Sequence, residues 1–297
     1  MILTRRLGQR IGLLTLLALM SACTTTQQRL GNAEAFATAG IGYTEALPAV
    51  LDESFRLSVR QNSLQLLNAR ADLSEEQRER RLALFDEVLR ERATLLGNLQ
   101  RHANVLKNYF AALRALASSD NATGITSEAN SVIDQLAQLR PRIENASVGG
   151  ATVGEAIEQT TSIAVGAFQN AALKNEIDAR RNVIDTELAL QETAIALLVE
   201  DMIDNAQQIL LMEETNPIVI DFATGNSVNK DWSERRLAQF SRSIELESYA
   251  DIRTAAGNLR RTWRAFAAQS NADPAIAVLI QDIQNLIALT NRFKDDD

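Results

Sequence analysis

The sequence has few of the residue types on which metal sites, disulfides and acid–base catalysis depend. Among 297 residues there are one cysteine and one histidine. A zinc site of the Cys/His type needs several such ligands, and an intramolecular disulfide needs two cysteines, so this composition disfavours both. The histidine, His102, also lacks the Glu-x-x-His spacing of ferritin-type iron sites. We therefore expect no metal and no cofactor.

Motifs for nucleotide binding and nucleophilic catalysis are missing as well. The chain has no G-x-S-x-G and no G-x-x-x-x-G-K, and Gly40-Ile41-Gly42 lacks the third glycine of a dinucleotide-binding loop. His102 belongs to a row of residues spaced by seven, which favours the edge of a helix-packing surface over a general base. The other members of that row are Val88, Leu95, Tyr109 and Leu116. Nothing here supports an enzyme.

Paired acids leave one enzymatic alternative open. They lie at helical spacing in Glu200 with Asp204, Glu155 with Glu158, and Glu247 with Asp251. Two carboxyl groups can serve as acid and base, or as acid and nucleophile, in glycan cleavage. The same spacing is typical of the solvated face of an acidic helix, and we favour that interpretation.

Scarcity of proline, glycine and aromatic residues points to the fold class. The chain has four prolines and 13 glycines, with 5% aromatic and 46% apolar residues. A β-sandwich of this length would need frequent turn residues and many aromatic or β-branched strand residues. We predict an all-α protein, an elongated bundle of four long helices and two or three shorter ones, formed by residues 33–297 as one domain.

The first 22 residues have the order of a secretory signal. Arg5, Arg6 and Arg10 precede an uncharged run from Ile11 to Met20, and the small residues Ser21 and Ala22 follow. The run of ten residues is about half of what a membrane-spanning helix requires. We expect removal of residues 1–22 rather than a permanent transmembrane anchor.

The single cysteine comes directly after this signal. Met20-Ser21-Ala22-Cys23 resembles the lipobox of bacterial lipoproteins, with Met20 where leucine is commoner. The resemblance implies cleavage between Ala22 and Cys23 and acylation of Cys23. Thr24, in place of an aspartate, implies sorting to the outer membrane on its periplasmic face. Several acyl chains at one residue suffice for stable anchoring, and the polar residues 24–32 would tether them to the bundle.

Charge restricts the partners of the mature chain. Removal of residues 1–22 takes away three arginines and no acids, leaving 27 basic and 38 acidic residues and a formal charge of −11. Nucleic acid binding needs concentrated Lys and Arg, so a nucleic acid partner is disfavoured.

Apolar spacing and helix caps predict the elements. The strongest pattern is an alternation by three and four from Leu82 to Ala117, in which ten of eleven positions are apolar and Arg92 is the exception. Three capping boxes begin at Ser74, Thr152 and Asp231. The predicted helices are 33–70 with a kink or break at Pro48, 75–118, 126–145, 152–172, 177–214, 231–270 and 274–294. Because residues 171–176, AALKNE, contain no helix breaker, the sequence leaves open whether 152–172 and 177–214 are one helix. Residues 218–225, IVIDFATG, form the only β-like stretch.

Isolated polar residues interrupt the apolar faces of three predicted helices. Arg92, Asn62 and Asn205 occupy such positions. They could fix the register between helices, the best-attested role of isolated polar groups in helical seams, or they could mark places where the seam opens.

These observations lead to three functional hypotheses. The first is a non-enzymatic outer-membrane lipoprotein that acts as a helical binding, scaffold or accessory subunit for another envelope protein, or that self-associates. The second is a membrane-active protein that inserts its small-residue segment, about residues 148–172, into a bilayer. The third is a glycan-acting enzyme that uses paired acids such as Glu200 and Asp204.

Overall fold

The structure is a computed structural model. It describes the backbone of residues 3–118, 125–157, 171–224, 230–268 and 272–295, and the side chains within these ranges except at 3–29, 125–129, 230 and 295. Helices dominate the described residues, so the prediction of an all-α bundle is confirmed. The elements in chain order are α1 (Leu3–Ala69), a 3-10 turn (Arg70–Asp72), α2 (Glu75–Ser118), α3 (Ile125–Glu144), β1 (Ser147–Val148), β2 (Ala151–Thr152), α4 (Val153–Ala156), α5 (Ala171–Leu210), a π-helical turn (Leu211–Thr215), α6 (Asn216–Ala223), α7 (Lys230–Glu247), α8 (Ala250–Ala268) and α9 (Ala272–Asp295).

Helix α1 packs between α9 and α2. Contacts near the helix ends show in which direction each of these neighbours runs. Asn32 donates to Asp273 at the start of α9, and Arg56 donates to the Phe293 carbonyl near its end (3.3 Å), so α9 runs parallel to α1. Helix α2 runs antiparallel, because Arg92 donates to Ser54 (2.8 Å), and because the rings of Phe110 and Phe36 meet with centroids 5.7 Å apart.

Helices α5 and α8 complete a five-helix bundle. Asn205 of α5 donates to Ser58 of α1 (3.4 Å). The Tyr249 hydroxyl, just before α8, donates to Glu53 of α1 (3.4 Å). Because Trp263 near the end of α8 reaches Phe36, with centroids 5.7 Å apart, α8 runs antiparallel to α1.

The core contains an aromatic cluster that glycine makes possible. The rings of Phe36, Tyr109, Phe110 and Trp263 contact one another and are buried. A Cβ atom at Gly40 would lie 2.7 Å from the Phe110 ring. The absence of a side chain at Gly40 therefore allows α2 to approach α1 closely.

Helix α2 begins and ends where the sequence predicts. Its capping box is formed, since the Ser74 amide donates to Gln77 (2.9 Å) and the Gln77 amide to the Ser74 hydroxyl (3.4 Å). From Leu96 to Ala117 the predicted seam is buried. Leu82, at its start, is instead 50% exposed.

The β-like interpretation of residues 218–225 is wrong, because residues 218–223 belong to helix α6. Pro217 does not stop the helical path either. Proline cannot donate an amide hydrogen bond and crowds the carbonyl four residues earlier. The π-helical turn before α6 widens the path there, and the Asn216 amide bonds to the Leu211 carbonyl. Ile218 is buried there, whereas Val219 and Ile220 are more than half exposed, so packing favours the helix only at Ile218.

The predicted helix over 152–172 is also wrong at Ile157, and residues 158–170 lie outside the described part of the chain. Helix α4 spans only Val153–Ala156 and is followed by Ile157 in extended conformation. The predicted capping box does not form, because Thr152 makes no side-chain cap bond. Before it, β1 and β2 pair antiparallel around Gly149 (φ 57°) and Gly150 (φ 86°), which suits a two-residue type I′ turn.

Three boundaries differ from prediction. The helix expected over 231–270 is two helices, α7 and α8, that meet at Ser248-Tyr249. Helix α1 begins at Leu3 and continues through Pro48 to Ala69, so the backbone of residues 24–32, expected as a tether, is helical. The helix expected from 177 begins earlier, at Ala171.

Candidate interaction surface

Two helical hairpins project from one end of the bundle. The first, called the arm, is residues 63–94, which include the end of α1 and the start of α2. The second, called the distal hairpin, is residues 211–247. The arm lies beyond Arg60 along α1, and Arg60 pairs with Glu213 of the distal hairpin. Since α1 covers about 56 Å from Asn32 to Ala69 at 1.5 Å per residue, this end is far from Cys23.

Polar contacts hold α7 against its neighbours. Gln239 donates to the Thr215 hydroxyl (2.8 Å) and Arg235 to Asp221 (2.5 Å). Arg242 pairs with Glu214 in the π-helical turn. These residues are three or four apart, so they define one face of α7. Helix α7 is therefore attached to the protein largely by its polar face.

A crevice separates this face from the bundle. Its volume is about 450 Å³, and α1, the end of α5 and the C-terminal half of α7 line it. The charges along it have both signs, from Arg56, Arg60 and Arg242 and from Glu53 and Glu245. None of the residues 231–247 is buried. The inner side of α7 thus has little of the apolar packing that normally fixes a helix.

The outer face of α7 is apolar. Leu237 is 69%, Phe240 55% and Ile244 68% exposed. Their spacing of three and four places them on one stripe, opposite Gln239. An amphipathic helix normally turns such a stripe to the core. Here the stripe faces solvent in the isolated chain.

Stacked side chains continue this surface onto α6. The rings of Phe222 and Trp232 stack with centroids 6.1 Å apart. The Arg236 guanidinium lies 5.0 Å from the Trp232 centroid and 5.7 Å from the Phe240 centroid. Val219, Ile220 and Phe222 of α6 are all more than half exposed. One ribbon of aromatic, aliphatic and guanidinium groups therefore spans both helices.

Such a ribbon has the composition of a protein-binding surface. Trp and Arg are enriched among the residues that dominate binding energy. Soluble monomers rarely expose contiguous apolar patches without a function. A partner would gain stabilisation by removing these side chains from water.

At the predicted lipidation and cleavage site the structure describes the backbone but not the side chains. Ala22 and Cys23 lie within helix α1. Eight residues separate Cys23 from Asn32, whose contact with Asp273 marks the near end of the bundle. Cleavage and acylation there stay predictions.

His102 lies in the core, in an ion-pair cluster. Its Nε2 is 3.0 Å from Glu187 Oε2, and Arg140 of α3 donates through Nε to Glu187 Oε1 (2.9 Å). Burial raises the pKa of Glu187, but the hydrogen bonds and positive charges of His102 and Arg140 outweigh burial and hold that pKa below its usual range. His102 and Glu187 are fully buried. Because substrate cannot reach them, the cluster connects α2, α3 and α5 rather than forming a catalytic site.

Two of the three isolated polar residues meet in one layer. Arg92 pairs with Asp201 (2.6 Å), and Asn205 donates to Asp201 (2.8 Å) and to Ser58. This layer joins α1, α2 and α5, as expected of groups that fix register. Asn62 is buried one turn further along α1.

The paired acids lie on the surface. Glu200 is 65% exposed by its side chain and lies 3.8 Å from Arg253. Asp204 is exposed and accepts from Gln208 (2.8 Å). Glu155 and Glu247 are exposed, and Asp251 is half-buried. Glu158 lies outside the described residues. No specific observation favours glycan cleavage by these acids.

The small-residue segment at 148–172 is described only at its ends. Residues 148–157 belong to the β-hairpin, α4 and Ile157, whereas 158–170 lie outside the described part of the chain. In the described ranges one helix, Ala272–Lys294 of α9, is long and apolar enough to cross a membrane. Its Leu279 and Leu286 are buried in the bundle. Within those same ranges no group of three His, Cys, Asp or Glu side chains could hold a metal.

Sequence reasoning missed the ribbon on the distal hairpin. It included Leu237 and Ile244 only as part of the predicted helix over 231–270, and it did not single out Trp232, Arg236 or Phe240. The spacing of four between these last three residues is visible in the sequence, but it does not show which face is covered. The sequence did contain one indication that α7 is largely exposed to water. Four acids and four bases occur among its 18 residues, and such residues are rarely buried.

Comparison with protein-family models, with curated proteins and with solved structures found no match.

Proposed function

We propose that this protein is a non-enzymatic lipoprotein of the bacterial outer membrane that binds another envelope protein through its distal hairpin. The observation that supports binding is the outward apolar stripe of α7 at Leu237, Phe240 and Ile244. The lipobox-like segment ending at Cys23 supports the membrane anchor. The far position of the hairpin along α1 keeps this surface away from the anchored end.

A protein fits the stripe better than a lipid surface does. Helix α7 has four acids and four bases, and it therefore has no net positive charge to attract anionic headgroups. The partner should present an apolar helix face or groove to the stripe and an acceptor to Arg236.

Photocrosslinking in intact cells tests this assignment. A photoreactive amino acid in place of Ile244, within the stripe, should join the native lipidated protein to one recurrent envelope protein. The same amino acid at Ala137, on the exposed side of α3, is the positional control. Identical products from both positions would contradict binding through α7.

A matched pair of variants separates the stripe from the rest of the helix. Leu237→Glu adds a charge within the stripe, whereas Ser243→Glu adds the same charge on a neighbouring exposed face. We expect at least a tenfold loss of the crosslinked product for Leu237→Glu, because a buried unpaired carboxylate costs a few kcal/mol, and little loss for Ser243→Glu. Equal loss in both variants would show that the stripe is not the contact.

A further inference from the structure

The arm exposes a second apolar surface, separate from the distal hairpin. None of the residues 63–94 is buried. Leu67 is 61%, Leu82 50%, Leu84 61% and Val88 53% exposed. Beyond its base, where Arg92 pairs with Asp201 of α5, the arm has only two helices, which leave their remaining faces to water.

The exposed residues of the arm continue a row that is buried elsewhere. Val88 belongs to the same seven-residue spacing as Leu95, His102 and Tyr109 on α2, and these three are buried. Beside His102 the covering helix is α5, through Glu187. No described helix covers Val88, or Leu84 one turn before it. Both are apolar, as Leu95 is, so the apolar surface of α2 continues past the point where its cover ends.

We propose that a second copy of this chain covers the arm, with α2 packed antiparallel against α2 of the partner. Leu84 of one copy would then lie against the partner's Val88. The two-fold axis would cross between the helices at the level of Asp86, midway between these two positions. An isologous contact of this kind is the commonest closed arrangement of soluble proteins.

Charge supports this arrangement. Arg80 and Glu91 are exposed and lie on the same edge of the Leu84–Val88 stripe, at nearly equal distances on either side of Asp86. In an antiparallel pair related by a two-fold axis, the same edge of each stripe lies next to its counterpart in the other copy. Arg80 of each copy would therefore lie near the partner's Glu91, which gives two ion pairs in the dimer. Arg80 now pairs only with Glu76 in its own helix (3.3 Å), with both side chains more than two thirds exposed.

The arm is large enough for a stable contact. A standard interface covers about 800 Å² on each partner and involves roughly 20–30 residues a side. The arm has 32 residues, and α2 from Glu75 to Thr94 is about 30 Å long. Pairing two such hairpins would also complete a four-helix arrangement. A second arm therefore supplies the helices that the first one lacks.

Sedimentation equilibrium of the lipidated chain in density-matched detergent tests the proposal. The native protein should be a dimer at micromolar concentration, and Leu84→Glu/Val88→Glu should be monomeric with unchanged helical circular dichroism. Ala83→Glu, at an exposed position of α2 outside the Leu84–Val88 stripe, is the matched control and should stay dimeric. A monomeric native protein, or dissociation by Ala83→Glu as well, would overturn the proposal.

A charge exchange tests the orientation. Arg80→Glu should weaken the dimer at least threefold, and Arg80→Glu/Glu91→Arg should restore it. Failure of the double variant to restore the dimer would overturn the antiparallel pairing. Leu237→Glu should leave the dimer intact, because the distal hairpin is a different surface. A dimer lost in Leu237→Glu and kept in Leu84→Glu/Val88→Glu would place the interface on α7 and overturn the assignment to the arm.

Discussion

Gly40 shows how one missing side chain positions two helices. An added Cβ would lie within 3 Å of three atoms of the Phe110 ring, which is fully buried. We expect Gly40→Ala to lower the free energy of unfolding by about 1–3 kcal/mol, because overpacking outweighs the better helix propensity of alanine. Urea denaturation followed by circular dichroism measures the change.

Gly97→Ala is the control for Gly40→Ala. Gly97 also lies within a helix, α2, but an added Cβ would find nothing within 4 Å. This variant should gain about 0.5–1 kcal/mol from helix propensity alone. The same loss at both positions would contradict a specific contact with Phe110.

Glu187 gives the bundle a pH dependence with a definite sign. Because the pKa of Glu187 is lower in the folded protein than its ordinary value of 4.5, its contribution to stability is present above that value and is lost as the pH falls through the folded pKa. Glu187→Gln should cost about 3–5 kcal/mol at pH 7, since it leaves His102 and Arg140 without the buried carboxylate. The cost should shrink below pH 4.5.

Urea denaturation at pH 7 and at pH 4 measures this dependence. Glu200→Gln is the control on the same helix, because Glu200 is 65% exposed by its side chain and only 3.8 Å from Arg253. An exposed pair contributes little, so the control should change stability by less than about 1 kcal/mol at either pH. A cost of Glu187→Gln that does not depend on pH would contradict the lowered pKa.

At the scale of elements, sequence reasoning succeeded where several local signals agreed. For α2 the capping box at Ser74, the long apolar alternation and the polar residues after Ala117 gave the same boundaries as the structure. For residues 218–225 it failed, since strand propensity was the only signal and β-propensity is strongly context-dependent. The break at Ser248-Tyr249 was missed for another reason, because the apolar spacing of the sequence continues across it.

The candidate surface was less predictable than the helices. Periodicity shows that Leu237 and Ile244 share a face, but it does not show whether another helix covers that face. Leu84 and Val88 of α2 likewise share a face, and periodicity does not show that this face is uncovered. Coverage depends on where α5 ends and where α7 lies in space, which are tertiary properties. His102 was predictable because it lies in a row whose other members are apolar.

The β-hairpin between α3 and α4 depends on two glycines. Gly149 and Gly150 have φ of 57° and 86°, a region that costs other residues about 1–2 kcal/mol each. Gly150→Ala should lower the free energy of unfolding by about 1 kcal/mol or fray the hairpin locally, as hydrogen exchange at the Val153 amide would show. That amide donates to the Ala146 carbonyl (3.0 Å). Unchanged exchange and unchanged stability would contradict a strained turn.

At the scale of the whole molecule, the proposals place the lipid anchor at one end of the bundle and the two apolar surfaces at the other end. Cys23 precedes the bundle by eight residues, and the arm and distal hairpin follow about 56 Å of α1. In the proposed antiparallel dimer the two Cys23 residues lie at opposite ends. Acyl chains from both copies can then enter one membrane when the long axis of the dimer lies along its surface.

The anchor itself rests on one residue, because Cys23 is the only cysteine in the chain. Cys23→Ser removes the thiol and should abolish acylation, so the variant should stay uncleaved or become soluble instead of floating with outer-membrane lipid. Flotation of cell envelopes and intact mass of the purified protein measure both effects. The mature chain has a formal charge of −11, and this charge repels anionic headgroups, so electrostatic attraction cannot replace the lipid. A variant that still floats with outer-membrane lipid would contradict the anchor at Cys23 and would shift membrane contact to the apolar stripe of α7.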